Sequence, residues 1–226
     1  MDDLTPPPAP QPATAEPAAL PWEDPGNGGL AGLFETVTMF LTRPDEAFSR
    51  VSRAGLGRAF FYAVIMAWIE LVFLFGYWVI FQMPFFGFAI PSLDEKLAEA
   101  MVGAGLMVVF AVGILILTPI FVAVGLAIHT CILHVMLLIV GEGKGGFDST
   151  IRAICYAHTA DLANAIPLCG GVISLVWFVA LQIIGISRCH RCSYAKATLA
   201  VVLPVLLCCS CMTLAASVVG LVALAD

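Results

Sequence analysis

Charge is what this sequence has least of. Only 12% of its 226 residues are Asp, Glu, Lys or Arg, whereas 61% are hydrophobic and the mean hydropathy is +0.99. A water-soluble domain of this size needs far more charge on its surface, so the bilayer is the expected solvent. Basic side chains are missing altogether before Arg43, where Asp2, Asp3, Glu16, Glu23, Asp24 and Glu35 stand alone. So acidic a start is repelled by nucleic acid and by anionic lipid, and nucleic-acid binding is not expected. Residues 1–29 also lack the basic start and apolar stretch of a signal peptide. The sequence has no GxSxG and no HExxH. Gly141-Glu-Gly-Lys-Gly-Gly146 lacks the spacing of a phosphate loop and follows no strand, so it reads as a turn. No enzyme and no cofactor is expected.

What is present is length of apolar chain. The expected fold is all-α, a polytopic membrane bundle of about five transmembrane helices behind a disordered Pro/Ala-rich tail over 1–29. Residues 30–56 read as a cytoplasmic amphipathic segment, in which Leu30, Leu33, Phe34 and Val37 recur at helical spacing and the chain breaks around Thr42-Arg43-Pro44. The membrane domain takes up 57–226. Residues 59–82 fit one crossing, given that a helix needs about 20 residues for a core about 30 Å thick. Residues 101–141 would make about 60 Å of helix, too long for one simple crossing. They form either one long helix kinked at Pro119 or a hairpin. The first alternative makes 150–167 and 171–187 separate crossings around the break Pro167-Leu-Cys-Gly-Gly171, and the last span covers 197–225.

Charge placement favours that first alternative and sets the direction. Arg43, Arg50, Arg53 and Arg58 precede the first span, and Arg188, Arg191 and Lys196 precede the last. Placing both clusters inside requires an even number of crossings between them, hence five in all, with the N-terminus cytoplasmic and the C-terminus outside. An inner (plasma) membrane location is expected.

Ionisable groups within spans need a reason to be there. Glu70 falls near the centre of the first span, as either a proton or cation ligand or a neutralised acid bonded to another helix. His158, Asp161 and Asn164 recur at i, i+3 and i+6 and share a helix face; they read as a proton relay or, more often for such residues, as a polar seam. His129 and His134 are poorly spaced for a shared metal. Cys131, Cys155, Cys169, Cys208, Cys209 and Cys211 read as small apolar groups. Cys189 and Cys192 form a C-x-x-C in a cytoplasmic loop, a candidate thiol pair or half of a zinc site without a second ligand pair, so no metal is expected.

His134, Gly141 to Gly146-Phe147, Arg152-Ala153, Tyr156-Ala157, Ile166-Pro167, Gly170-Gly171, Trp177, the Leu-Gln-Ile-Ile-Gly run at 181–185, Ala197 and Pro204 follow one another in an order that resembles the Yip domain family. Upstream, Pro21-Trp22-Glu23, Phe34-Glu35-Thr36, Pro44 and Phe48 are similar to the leader of its bacterial branch. The resemblance covers about 20–215 and implies about five membrane helices with a cytoplasmic N-terminus. In eukaryotic members it implies binding of prenylated Rab-type GTPases; for bacterial members it implies no established activity. This chain departs from the pattern at His158-Thr159-Ala160-Asp161 and in the Cys189–Cys192 loop. The reading is a non-enzymatic membrane protein that organises or recruits partners among membrane or cytoplasmic proteins. The alternative is a proton- or ion-coupled transporter using Glu70, His158 and Asp161.

Overall fold

The computed structural model describes residues 19–225 apart from 28, 53–54 and 88–92, and its regular structure is entirely helical. The chain runs through α1 (Leu30–Thr42), α2 (Pro44–Ser49), α3 (Gly57–Gly87), α4 (Leu93–Ile139), α5 (Gly146–Ala157), a 3-10 helix (His158–Ala165), α6 (Gly170–His190) and α7 (Tyr194–Ala225). Among the described residues, four helices are long and apolar enough to cross a membrane, over Gly57–Trp78, Val108–Ile139, Gly170–His190 and Tyr194–Leu214. Residues 93–139 are one continuous helix, not a hairpin, with Pro119 inside it.

Proline has no N–H, so Pro119 leaves the carbonyl of Leu115 without its helical donor. In α4 that carbonyl is taken by Trp68 of α3, whose Nε1 donates to it at 3.0 Å. The sequence defect in one helix is thereby turned into a crosslink to its neighbour. In a bilayer, where water cannot substitute, such a bond matters more than on a wet surface.

The expected crossing at 150–167 is not among the four apolar helices. It is built from the 12-residue α5 and the 8-residue 3-10 helix, together about 34 Å long at 1.5 and 2.0 Å per residue. Its contacts give its direction. Gly145, at its start, donates to His190 at the end of α6, and at its far end Tyr77 of α3 donates to the Ala165 carbonyl. We call the first end basal and the second distal. This rod packs against α3, α4 and α6, and Ala153 to Ala157 are all buried. Polar residues stay tolerable here because neighbouring helices, not lipid, surround them.

Two glycines permit the tight places. A Cβ on Gly170 would lie 2.4 Å from the Ala163 carbonyl oxygen, so only glycine lets α6 start against the 3-10 helix. A Cβ on Gly32 would lie 2.0 Å from the Asn27 carbonyl oxygen and 2.7 Å from that of Pro21. The second contact moves a boundary of the expected tail. Residues 1–18 lie outside the described residues, but Leu20 is fully buried and Trp22 nearly so. The end of the 1–29 segment is thus packed onto the bundle, because Leu20, Trp22 and Glu23 offer it apolar surface and hydrogen bonds.

Candidate functional site

A 3-10 helix has three residues per turn, so residues three apart stand directly above one another. His158, Asp161 and Asn164 therefore line one edge of it, by a tighter geometry than the α-helix expected from the sequence. They form two separate pairs. His158 Nδ1 donates to Asp161 Oδ2 at 2.6 Å, with the side chains 27% and 13% exposed. Asn164 Nδ2 donates to Glu70 Oε1 at 2.7 Å, joining the 3-10 helix to α3.

The pairs do not open onto one space. Glu70 and Asn164 line a distal cleft of about 310 Å³ with Tyr77, Phe81 and the start of α6. His158 lines a different cleft of about 580 Å³ between α3, α4 and α6, together with His129. Asp161 lines neither of them.

Cys189 and Cys192 sit where α6 ends and the chain turns into α7. The Cys192 thiol is in no disulfide, and its Sγ lies 3.9 Å from the Ile186 carbonyl oxygen. Burial pushes the Cys192 thiol up, away from the low-pKa condition that makes a cysteine reactive. Between the two, His190 is committed on both nitrogens. Its Nδ1 accepts from the Gly145 N–H at 3.2 Å, so the ring proton is on Nε2. That proton is given to Thr150 Oγ1 at 2.9 Å, and the Thr150 hydroxyl passes on to His134 Nδ1 at 3.0 Å. Among the described residues, no group of three or more His, Cys, Asp or Glu side chains is placed to hold a metal ion.

The most connected polar cluster is one the sequence reading did not single out. Glu23 reaches into the basal end of the bundle, where its Oε2 accepts the Ser52 N–H at 2.6 Å and its Oε1 the Tyr156 hydroxyl at 2.7 Å. Arg152, only 4% exposed, donates to the Ser52 carbonyl. Burial pushes the Glu23 carboxyl above the ordinary range, opposed by the Ser52 and Tyr156 bonds and by the nearby charges of Arg152 and Arg58. Trp22 and Arg58 fasten each other reciprocally: Trp22 Nε1 donates to the Arg58 carbonyl at 2.9 Å and Arg58 Nη1 to the Trp22 carbonyl at 2.6 Å. Thr36 of α1 accepts the Trp22 N–H at 2.9 Å. Beneath lie Phe40, Tyr62 and Tyr156, with ring centroids 5.0–6.3 Å apart, and Tyr62 shares a 2.7 Å bond with Thr159. The available signal was Arg152 itself, a lone charge in the apolar run Thr-Ile-Arg-Ala-Ile-Cys-Tyr.

The same end carries the bundle's ion pairs. Asp45 of α2 accepts from Tyr194 and, at 2.7 Å, from Arg188; these bonds hold its carboxyl below the usual range. Lys196 of α7 donates to Glu142 at 2.6 Å and lowers the pKa of that carboxyl. Leader, α4, α6 and α7 are tied together at the basal end. The arrangement is one of fastening.

No curated protein and no solved structure matches the chain. The family model of the Yip1 domain does match, over residues 38–216, from within α1 through the apolar part of α7. With its apolar membrane-length helices and this match over most of its length, the chain belongs to the Yip1 domain family of membrane proteins.

Proposed function

We propose that this is a non-catalytic membrane protein that recruits or organises partners at its basal face, through the leader fixed there. The observation that carries the reading is the lock made by Trp22 and Glu23 with Arg58, Ser52, Thr36 and Tyr156. It fixes to the bundle the chain that directly follows the acidic, proline-rich residues 1–18. Proline-rich segments are ready ligands, because their extended form is already low in entropy.

In this reading the basal face is cytoplasmic, since Arg43, Arg50, Arg58, Arg188, Arg191 and Lys196 belong to it. The α5/3-10 rod is the fifth crossing, so the C-terminus lies outside. α1 exposes Leu30 and Phe34, as suits a helix resting on the membrane surface. The leader's similarity to bacterial members makes an inner membrane the expected location. Glu70, Asn164, His158 and Asp161 act as polar fasteners. Their division between two clefts gives no shared path for a proton or ion, and transport is not favoured.

Affinity purification from gently solubilised membranes tests the recruiting role. Deletion of residues 1–18 is expected to remove most co-purifying proteins, while Glu70→Gln and Asp161→Asn keep them. An unchanged set of partners after the deletion overturns the reading.

A further inference from the structure

The cleft between α3, α4 and α6 has polar groups at one end and an apolar groove at the other. Its lining of about 580 Å³ includes Ala63 and Ala67 of α3, Thr118 and Gly125 of α4, and the rings of His129 and His158. At Leu71 and Ile114 it adjoins a second groove of about 670 Å³, whose walls are aliphatic and aromatic side chains from within Leu71–Trp78 and Phe110–Leu115, with the Trp78 indole at one end.

Hydrogen bonding fixes what the polar end offers. The Gln182 amide nitrogen can only donate, and it lies 3.3 Å from His129 Nε2, so His129 keeps its ring proton on Nδ1. His158 spends its Nδ1 proton on Asp161, which leaves Nε2 as an acceptor. Among the described residues neither His129 Nδ1 nor His158 Nε2 has a partner. Both rings lean on Phe178, at centroid distances of 5.9 and 5.1 Å. Thr118 spends its hydroxyl proton on the Ile114 carbonyl at 2.8 Å. Two residues that line the cleft thus carry one ring N–H donor and one ring acceptor still to be matched.

We propose that these two adjoining clefts together bind a single-chain lipid with a neutral hydroxyl head, the hydroxyl between His129 and His158 and the chain along Leu71–Trp78 and Phe110–Leu115. A hydroxyl donates and accepts at one atom, which is what the two rings require. His129 lies about 15 Å of helix from Ile139 at the basal end. So deep a seat disfavours a large or charged head, whose burial is costly. No Asp, Glu, Lys or Arg side chain lines the cleft to pair with a charged head of either sign.

The test uses the purified full chain in phosphatidylcholine vesicles with three photoactivatable probes: hexadecanol, palmitate above pH 8, and phosphatidylcholine, each with the reactive group in the chain. The expected result is hexadecanol labelling concentrated on 71–78 and 110–115, competed by unlabelled hexadecanol, with palmitate and phosphatidylcholine at background there. Nothing stands within 4 Å of a Cβ added at Gly125, so Gly125→Leu fills the cleft without a backbone clash and should cut labelling about fivefold or more. His158→Leu should cut it about fivefold, the loss expected for one net hydrogen bond. Should His158→Leu misfold, Gly125→Leu decides alone. Equal labelling by all three probes, or labelling undiminished in Gly125→Leu, overturns the proposal.

Discussion

Glu23 and Arg152 are the residues on which the basal lock turns, and each makes a distinct prediction. Arg152 is buried against the Ser52 carbonyl, with Glu23 nearby. Arg152→Met leaves the Ser52 carbonyl without this donor, which should cost about 1–3 kcal/mol in thermal or denaturant unfolding. Glu23 predicts a pH dependence. Its folded-state pKa is raised above the ordinary 4.5, so protonation favours the docked leader. Docking should be tightest below that value and loosen as pH climbs through the raised one. Hydrogen exchange at residues 20–27, corrected for its intrinsic pH dependence, should show this trend in the wild type and little of it in Glu23→Gln. Glu142 titrates in the opposite sense: Lys196 lowers its pKa, so that tie is complete above 4.5 and is lost as pH falls through the lowered value.

Among the elements, α3 and α4 are joined by a bond that exists because of a proline. Trp68→Phe should cost about 1–3 kcal/mol, the penalty of an unsatisfied carbonyl. Pro119→Ala returns an N–H to the Leu115 carbonyl, so the same Trp68→Phe change should cost measurably less in that background. A double-mutant cycle on unfolding reads the difference. Gly32→Ala should release the leader from α1 at a cost of about 1–3 kcal/mol, since backbone oxygens occupy the space. Long apolar runs made α3, α4, α6 and α7 legible in the sequence, and the charge clusters made their common basal end legible too. The lone Arg152 and the Trp22-Glu23 pair were visible as residues. Their partnership was not, because it joins positions far apart in sequence across a backbone turn at Ser52. Spacing alone suggested a shared edge for His158, Asp161 and Asn164. It did not reveal that their partners differ, because Glu70 and Phe178 come from other helices.

For the whole molecule, the account rests on the least apolar of its long elements. The α5/3-10 rod carries Arg152, His158, Asp161 and Asn164, yet it is surrounded by α3, α4 and α6 and is long enough for a bilayer core. If it crosses, the two ends of the chain face opposite sides of the membrane; if only the four apolar helices cross, they face the same side. Reporter fusions or impermeant labelling at each terminus in intact and opened cells decide this directly. The account predicts an N-terminus protected inside and a C-terminus accessible outside. Both termini on the same side would contradict it.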